Sequence, residues 1–277
     1  MTAEEGDDAG GSTEPVVVVE DDGAVRIVRF NRPGARNAFN GAMYDAVTDA
    51  LTEAAALRSV HVVVLTGNGS AFSAGQDLKE MARIVSGEVG PETARGFRGL
   101  LDAVGSFDKP LLAAVNGVGV GLGFTLLLHC DLVLMADDAR LRVPFAELGV
   151  PPEAASSYLF PRTLGWQRAA KLLFTGGWLG AAEAVEAGVA VAACPAASLI
   201  DETLALARAI AAAPLDALMT SKRLLLATRT AEVAEARRRE DAAFAELLGT
   251  DDNVAALQRF ETDPGAWGPG RGPGGAG

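Results

Sequence analysis

Apolar and polar residues alternate over residues 24–30, where Val25, Ile27 and Phe30 stand against Arg26 and Arg29, the period of a strand with one face in a core. Residues 16–19 precede it across Asp22-Gly23, a pair that joins antiparallel strands, so a β-hairpin is predicted. The period then changes. Asn40 stands ahead of Met43, Val47, Leu51 and Ala54, which recur on one helical face, and Asn is a residue that caps helices. Residues 60–65 form a β-branched run that reads as a buried strand. Further on the pattern predicts a helix from about Glu92 to Ser106, a strand over 111–115, a helix from about Leu122, and strands over 132–135 and 141–143. Interleaved strands and helices define an α/β chain. After Pro161 the strand signal fades, and helices are predicted over 166–174, 181–187, 199–213, 215–228, 231–248 and 253–260.

Composition changes this picture at the ends. Residues 1–14 are acidic and Gly-rich, and residues 263–277 are almost wholly Gly, Pro and Ala, so both tails are expected to be disordered. The formal charge of −12 belongs largely to the first 22 residues, which hold eight acids and no base; 28 acids and 24 bases remain. A mildly acidic body argues against nucleic acid as a partner. Two histidines and two cysteines, with only His129 and Cys130 adjacent, do not supply a structural zinc site or a disulfide scaffold. The start of the chain has neither the basic nor the apolar region that export requires, so a cytoplasmic location is expected. Residues 111–130 carry no charge, but Gly117, Gly119, Gly121 and Gly123 divide them. They suit a strand, a tight loop and a helix start better than a membrane helix.

Three segments are dense in unusual residues. Ala71-Phe-Ser-Ala-Gly-Gln-Asp-Leu78 approaches a nucleophile elbow, but Ala71 replaces its first glycine and only His61 and His129 are available as a base. In Ala114-Val-Asn-Gly-Val-Gly-Val-Gly-Leu-Gly-Phe-Thr125 the dinucleotide fingerprint fails, because Leu122 or Phe124 stands where its last glycine belongs, and no Walker lysine follows. Glycine loops between strand and helix expose backbone N–H groups to a developing oxyanion, although tight packing alone also explains such glycines. The third segment, from Val143 to Tyr158, contains Glu147 and Glu153. Glu153 follows Pro-Pro, a place that also suits the acid at a helix start.

The succession Asn31-Arg-Pro-Gly-Ala-Arg-Asn-Ala38, Ala71 to Lys79, Lys109-Pro110, Ala114-Val-Asn-Gly117 and Cys130-Asp131 resembles the crotonase (enoyl-CoA hydratase/isomerase) superfamily from about Val16 to Phe260. The resemblance implies a spiral of repeated β-β-α units over residues 15–212 and a helical oligomerisation region over 213–262. It also implies an acyl-CoA thioester substrate, no separate cofactor because coenzyme A is part of that substrate, no membrane partner, and a homotrimer or dimer of trimers. The thioester oxygen would be held by the N–H groups of Gln76 and Leu122. The two hydratase carboxylate positions hold Thr125 and Phe145, neither of which can take a proton from water.

The third segment is similar instead to peroxisomal-type Δ3,Δ2-enoyl-CoA isomerases, through Pro144, Phe145, Leu148, Gly149, Pro152, Glu153, Ser156, Ser157 and Tyr158. That likeness makes Glu153 the base that moves a proton from C2 to C4. Leu122, Phe124, Phe145 and Val150 would keep it poorly solvated and raise its pKa. Glu147 would be a surface or supporting group, and Ala154 stands where the pattern often has Gly, leaving open whether it narrows the pocket. Substrate contacts are expected from Arg36, Ala38, Ser73, Ala74, Asp77, Lys79, Gly121, Phe145 and, from the C-terminal helices, Lys222. A hydratase or another thioester-enolate enzyme, and a non-catalytic acyl-CoA-binding protein, are the rival readings.

Overall fold

The computed structural model describes residues 14–88 and 93–262. The tails expected over 1–14 and 263–277, Glu14 excepted, and the helix start at Glu92 lie outside these residues. In chain order, β1 (Val17–Asp22) and β2 (Val25–Phe30) form the hairpin, α1 (Gly41–Ala56) leads into β3 (Val62–Gly67), and β4 (Ala71–Ser73) precedes α2 (Leu78–Val85) and α3 (Thr93–Ser106). Next come β5 (Leu111–Val115), β6 (Val118–Val120), α4 (Leu122–Thr125), β7 (Leu132–Ala136) and β8 (Arg140–Arg142). They are followed by α5 (Ser156–Leu164), α6 (Trp166–Thr175), β9 (Leu179–Gly180), α7 (Ala181–Glu186) and β10 (Ala192–Cys194). The chain then runs through α8 (Leu199–Ala211), α9 (Leu215–Ala227), α10 (Thr230–Leu247) and α11 (Asp251–Thr262).

The larger sheet has the order β1-β2-β3-β5-β7-β10 and is parallel everywhere beyond the hairpin. Every residue of β3 and β5 is buried, as a parallel sheet covered on both faces demands, and their Val, Leu and Ala content meets that demand. Helix α8 lies across β2, β3, β5 and β7. Strand β2 departs from the half-buried pattern its alternation predicts. It lies between β1 and β3, and Arg26 is buried there, paired with Asp21 at 2.8 Å and Glu53 at 3.1 Å.

Helix α1 forms where its periodicity places it. Asn40 accepts a hydrogen bond from the Met43 N–H at 3.0 Å, and Met43, Tyr44, Val47, Leu51 and Ala54 face the core. Asn40→Ala removes that acceptor and is expected to cost about 1 kcal/mol. The check is a urea titration in which the midpoint falls and the slope stays unchanged.

The smaller sheet, β4-β6-β8-β9, positions the site. Its strands are two or three residues long, too short for a period of two to mark β4, β6 and β9 in the sequence, whereas β8 lies within a residue of the strand expected over 141–143. Strands β4 and β6 are parallel neighbours, so the glycine loops that follow them, Gly75-Gln76 and Gly121-Leu122, emerge side by side. Residues 111–130 are therefore two strands and a short helix, and among the described residues no single helix is long and apolar enough to cross a membrane. At the C-terminus α10 packs on α5 and α11 on α2, folding back over the chain's own body.

Candidate active site

The approach of the two loops depends on one glycine. Gly75 has φ +84°, and a Cβ there would lie 2.4 Å from the Val120 carbonyl oxygen and 3.3 Å from the Leu122 nitrogen. Only a residue without a side chain lets the main chains come this close. Among the described residues the N–H groups of Gln76 and Leu122 donate to no protein acceptor. Two adjacent main-chain donors left without acceptors are what an oxyanion needs.

Side chains hold this geometry from behind. The Ser73 hydroxyl donates to the Asn37 carbonyl at 2.8 Å and accepts from the Gly75 N–H at 3.0 Å. Asn37, itself in left-handed backbone at φ 55°, donates to Asn68 and Ala71 carbonyls at 2.9 and 2.8 Å. The buried Tyr44 hydroxyl donates to the Gln76 side-chain oxygen. Burial pushes its pKa well above the usual value, and the charges of Glu153, Glu80 and Asp77 add to the effect, so it stays a donor. Asp77 caps α2 through the N–H groups of Lys79 and Glu80, and its other oxygen meets Arg32 at 3.1 Å.

A cavity of about 510 Å³ opens in front of the loops. Gln76, Gly121, Leu122 and Glu153 line it, with Arg32, Arg36, Ala38, Ala74, Asp77 and Lys79 along one part. Phe145, Leu148, Val150, Phe244 and Phe260 supply apolar wall, the last two from α10 and α11. Glu153 sits in the β8–α5 loop, half-buried. Burial, and then the nearby charge of Glu240, push its carboxyl up to about 8. The carboxyl is thus a base of near-neutral strength.

The hydratase carboxylate positions offer nothing comparable. Phe145 is a buried wall residue of the cavity, while Thr125 is fully buried, its hydroxyl without a hydrogen-bond partner among the described residues, and is not part of the wall. Glu147 is bound to the buried Arg142 at 2.5 Å and does not line the cavity.

Three expectations need correction. Ser73 is fully buried and is committed to the loop rather than to a ligand. Lys222 is buried away from the cavity, donating to the Lys109 carbonyl at 2.7 Å and pairing with Asp131 at 2.8 Å, which orders the β5–β7 edge. Phe124 does not reach the cavity; it packs edge-on against Phe160 of α5 at 4.9 Å. Ala154 also finds its explanation. Its φ is 59° and it is buried outside the cavity wall, so a glycine would suit this position for its backbone, not for pocket width. His61 bonds the Ala211 carbonyl at 2.8 Å. His129, held neutral by burial with a pKa of about 4, donates from Nε2 to the Ala154 carbonyl at 2.8 Å. Sequence reasoning missed Arg32, Tyr44 and Glu240, whose roles rest on contacts 32 to 85 residues apart in the chain.

Two sheets, and a cavity that a pair of main-chain donors shares with one basic carboxylate, define an enzyme of the crotonase fold. The enoyl-CoA hydratase/isomerase family profile matches residues 20–268, and the chain belongs to that family of acyl-CoA enzymes. Human enoyl-CoA delta isomerase 2 is 37% identical over 76% of this chain, which spans 54% of that longer protein. The 2,3-dehydroadipyl-CoA hydratase of Escherichia coli K12 is 33% identical over 85% of this chain and 91% of its own length. A crystal structure of an enoyl-CoA hydratase/isomerase from Pseudoalteromonas atlantica T6c superposes with a TM-score of 0.84 at 32% identity, covering 94% of this chain and all of that one.

Proposed function

We propose that the protein shifts the C3–C4 double bond of a 3-enoyl-CoA to C2–C3. The observation that carries this reading is the state of the cavity's carboxylates. Asp77 is committed to Arg32 and to the start of α2, whereas the Glu153 carboxyl has no hydrogen-bond partner among the described residues and lines the space shared with the Gln76 and Leu122 N–H groups. Glu153 takes the C2 proton, and the C2–H electron pair flows into the thioester carbonyl to give a dienolate. The oxygen that gains charge is bound by the two N–H donors, each worth ~3 kcal/mol by analogy with measured oxyanion holes. The same carboxyl then returns its proton to C4 as the electrons run back to form the C2–C3 bond. One shuttling carboxyl suffices, and no water is activated. Isomerase-named relatives from human and mouse support the choice. The reading needs no cofactor beyond the coenzyme A of the substrate. Arg36 and Lys79, exposed at the cavity's edge, are suited to its phosphates. It also carries a trimer whose contacts would cover Trp166 and Phe174, which are 73% and 77% exposed on α6.

Incubation with 3-enoyl-CoA and, separately, 2-enoyl-CoA tests it. Bond migration should dominate, and kcat/KM should climb about tenfold per pH unit toward an inflection near the Glu153 value of about 8, because below it the base is protonated. Hydration of 2-enoyl-CoA faster than migration makes the protein a hydratase. Tight thioester binding with neither reaction makes it a binding protein.

A further inference from the structure

The segment that carries Glu153 is held in an unusual way. Ala154 and Ala155 follow it with φ of 59° and 60°, two consecutive non-glycine residues in left-handed backbone. L-residues avoid this region because Cβ crowds the following carbonyl, so such a turn persists only where its surroundings impose it. Two buried side chains from distant elements grip this one. From one side the His129 imidazole donates to the Ala154 carbonyl at 2.8 Å. From the other, Glu240 of α10 accepts the Ala155 N–H at 2.6 Å with one carboxylate oxygen and the Ser157 N–H at 2.8 Å with the other.

Glu240 is only 6% exposed, and its hydrogen-bond partners among the described residues are the Ala155 and Ser157 main chain and the Ser157 side chain rather than a cation. A buried carboxylate without a cation is costly to fold, and apolar packing would join α10 to α5 more cheaply. What an apolar side chain cannot do is satisfy both of these N–H groups and so set the direction of the peptide next to Glu153.

We infer that Glu240 is a positioning residue: its bidentate grip on the Ala155 and Ser157 N–H groups holds the strained turn that points Glu153 at the oxyanion donors. The inference rests on the proposed role of Glu153. Burial also raises the Glu240 carboxyl, an effect that bonds from the Ser157 side chain and from the Ser157 and Ala155 backbone oppose, and its charge adds to the basicity of Glu153.

The test uses full-length protein, steady-state isomerisation of a 3-enoyl-CoA, and four variants: Glu240→Gln, Glu240→Asp, the pair Ala154→Gly/Ala155→Gly, and that pair combined with Glu240→Gln. Gln keeps the shape of Glu240 but puts an NH2 against one of the N–H donors. It is expected to lower kcat about 10- to 100-fold, the scale of a misplacement of the order of 1 Å, with KM within about twofold. Asp keeps both acceptors on a shorter stem, should fall between Gln and wild type, and reports on the grip if the Gln variant does not fold. Glycine takes the left-handed conformation without strain, so in the Gly-Gly background the Glu240→Gln loss should shrink to less than about threefold. An equal loss in both backgrounds, a loss carried by KM, or a lower melting temperature with kcat intact overturns the positioning role. Exchange of the C2 protons of a saturated acyl-CoA in D2O reads proton removal independently of product. Wild-type protein that neither isomerises nor exchanges refutes the role of Glu153 itself, an outcome separate from failure of the grip.

Discussion

Glu153→Gln is expected to lower kcat for isomerisation by about 10³-fold while KM changes by less than about threefold, because the amide keeps the shape of the carboxylate and cannot accept the C2 proton. The Gln76 and Leu122 N–H groups remain in place, so the variant should still bind acyl-CoA thioesters, which isothermal titration measures directly. The same substitution has a second effect of opposite sign. Burial raises the Glu153 carboxyl from 4.5 to about 8 in the folded protein. The folded state therefore holds this proton more tightly than the unfolded chain does, and the corresponding stability is present at acid pH and lost as pH rises through about 8. Gln carries no charge at any pH. At about pH 9 the variant should be more stable than wild type by roughly 1–2 kcal/mol, a gain that vanishes toward about pH 4. Urea unfolding at the two pH values gives the comparison; the same difference at both would mean that Glu153 is not held in a desolvating site.

Gly75→Ala should be the most damaging single-carbon change in the loops. The new Cβ would stand 2.4 Å from the Val120 carbonyl oxygen, a main-chain atom in a paired strand, at a φ of +84° that alanine avoids. Either the β4 and β6 loops part or the peptide at residue 75 turns, and both outcomes separate the Gln76 and Leu122 donors. Loss of one donor's contribution corresponds to roughly 10²-fold in kcat, and clash plus strain to at least ~2 kcal/mol of stability. Gly99→Ala on α3, where nothing lies within 4 Å of the added carbon, is the matched control and should be neutral or slightly stabilising. Kinetics and urea unfolding of the two variants side by side decide the point: a Gly75→Ala enzyme as active as the control removes the oxyanion role of the paired loops.

Long runs are readable in the chain, and the strands of two or three residues, β8 excepted, are not. The hairpin and strands β3, β5 and β7 follow from runs of four residues or more, and the start of α1 from the Asn40 cap. Strands β4, β6 and β9 have two or three residues, and neither their existence nor their pairing is encoded in a period. Helix α2 was not anticipated, although Asp77 ahead of Leu78 is a capping signal, because its motif drew a reading as loop and ligand site. Gln76, Leu122 and Glu153 are candidates because each sits inside a motif through which the sequence resembles the crotonase superfamily. Glu240 is not, since on a helix rich in Arg and Glu one more glutamate looks like solvated surface. Only the fold brings it to a turn 85 residues upstream. Lys222 shows the converse error: a lysine of the C-terminal helices reads as a substrate contact, and Asp131 already claims it.

The N–H groups of Gln76 and Leu122, proposed as the oxyanion donors, belong to the main chain, and this bears on how such a protein changes over generations. Short of proline, no exchange of side chain at either position deletes the donor, so on the proposed mechanism most mutations pass through both loops with the anion-holding half of the centre intact, provided Gly75 stays. The carboxylate half has no such protection, because a single codon at residue 125, 145 or 153 adds or removes an acid. Anion binding is thus secured by backbone geometry, while the proton transfers made beside it are left open to selection.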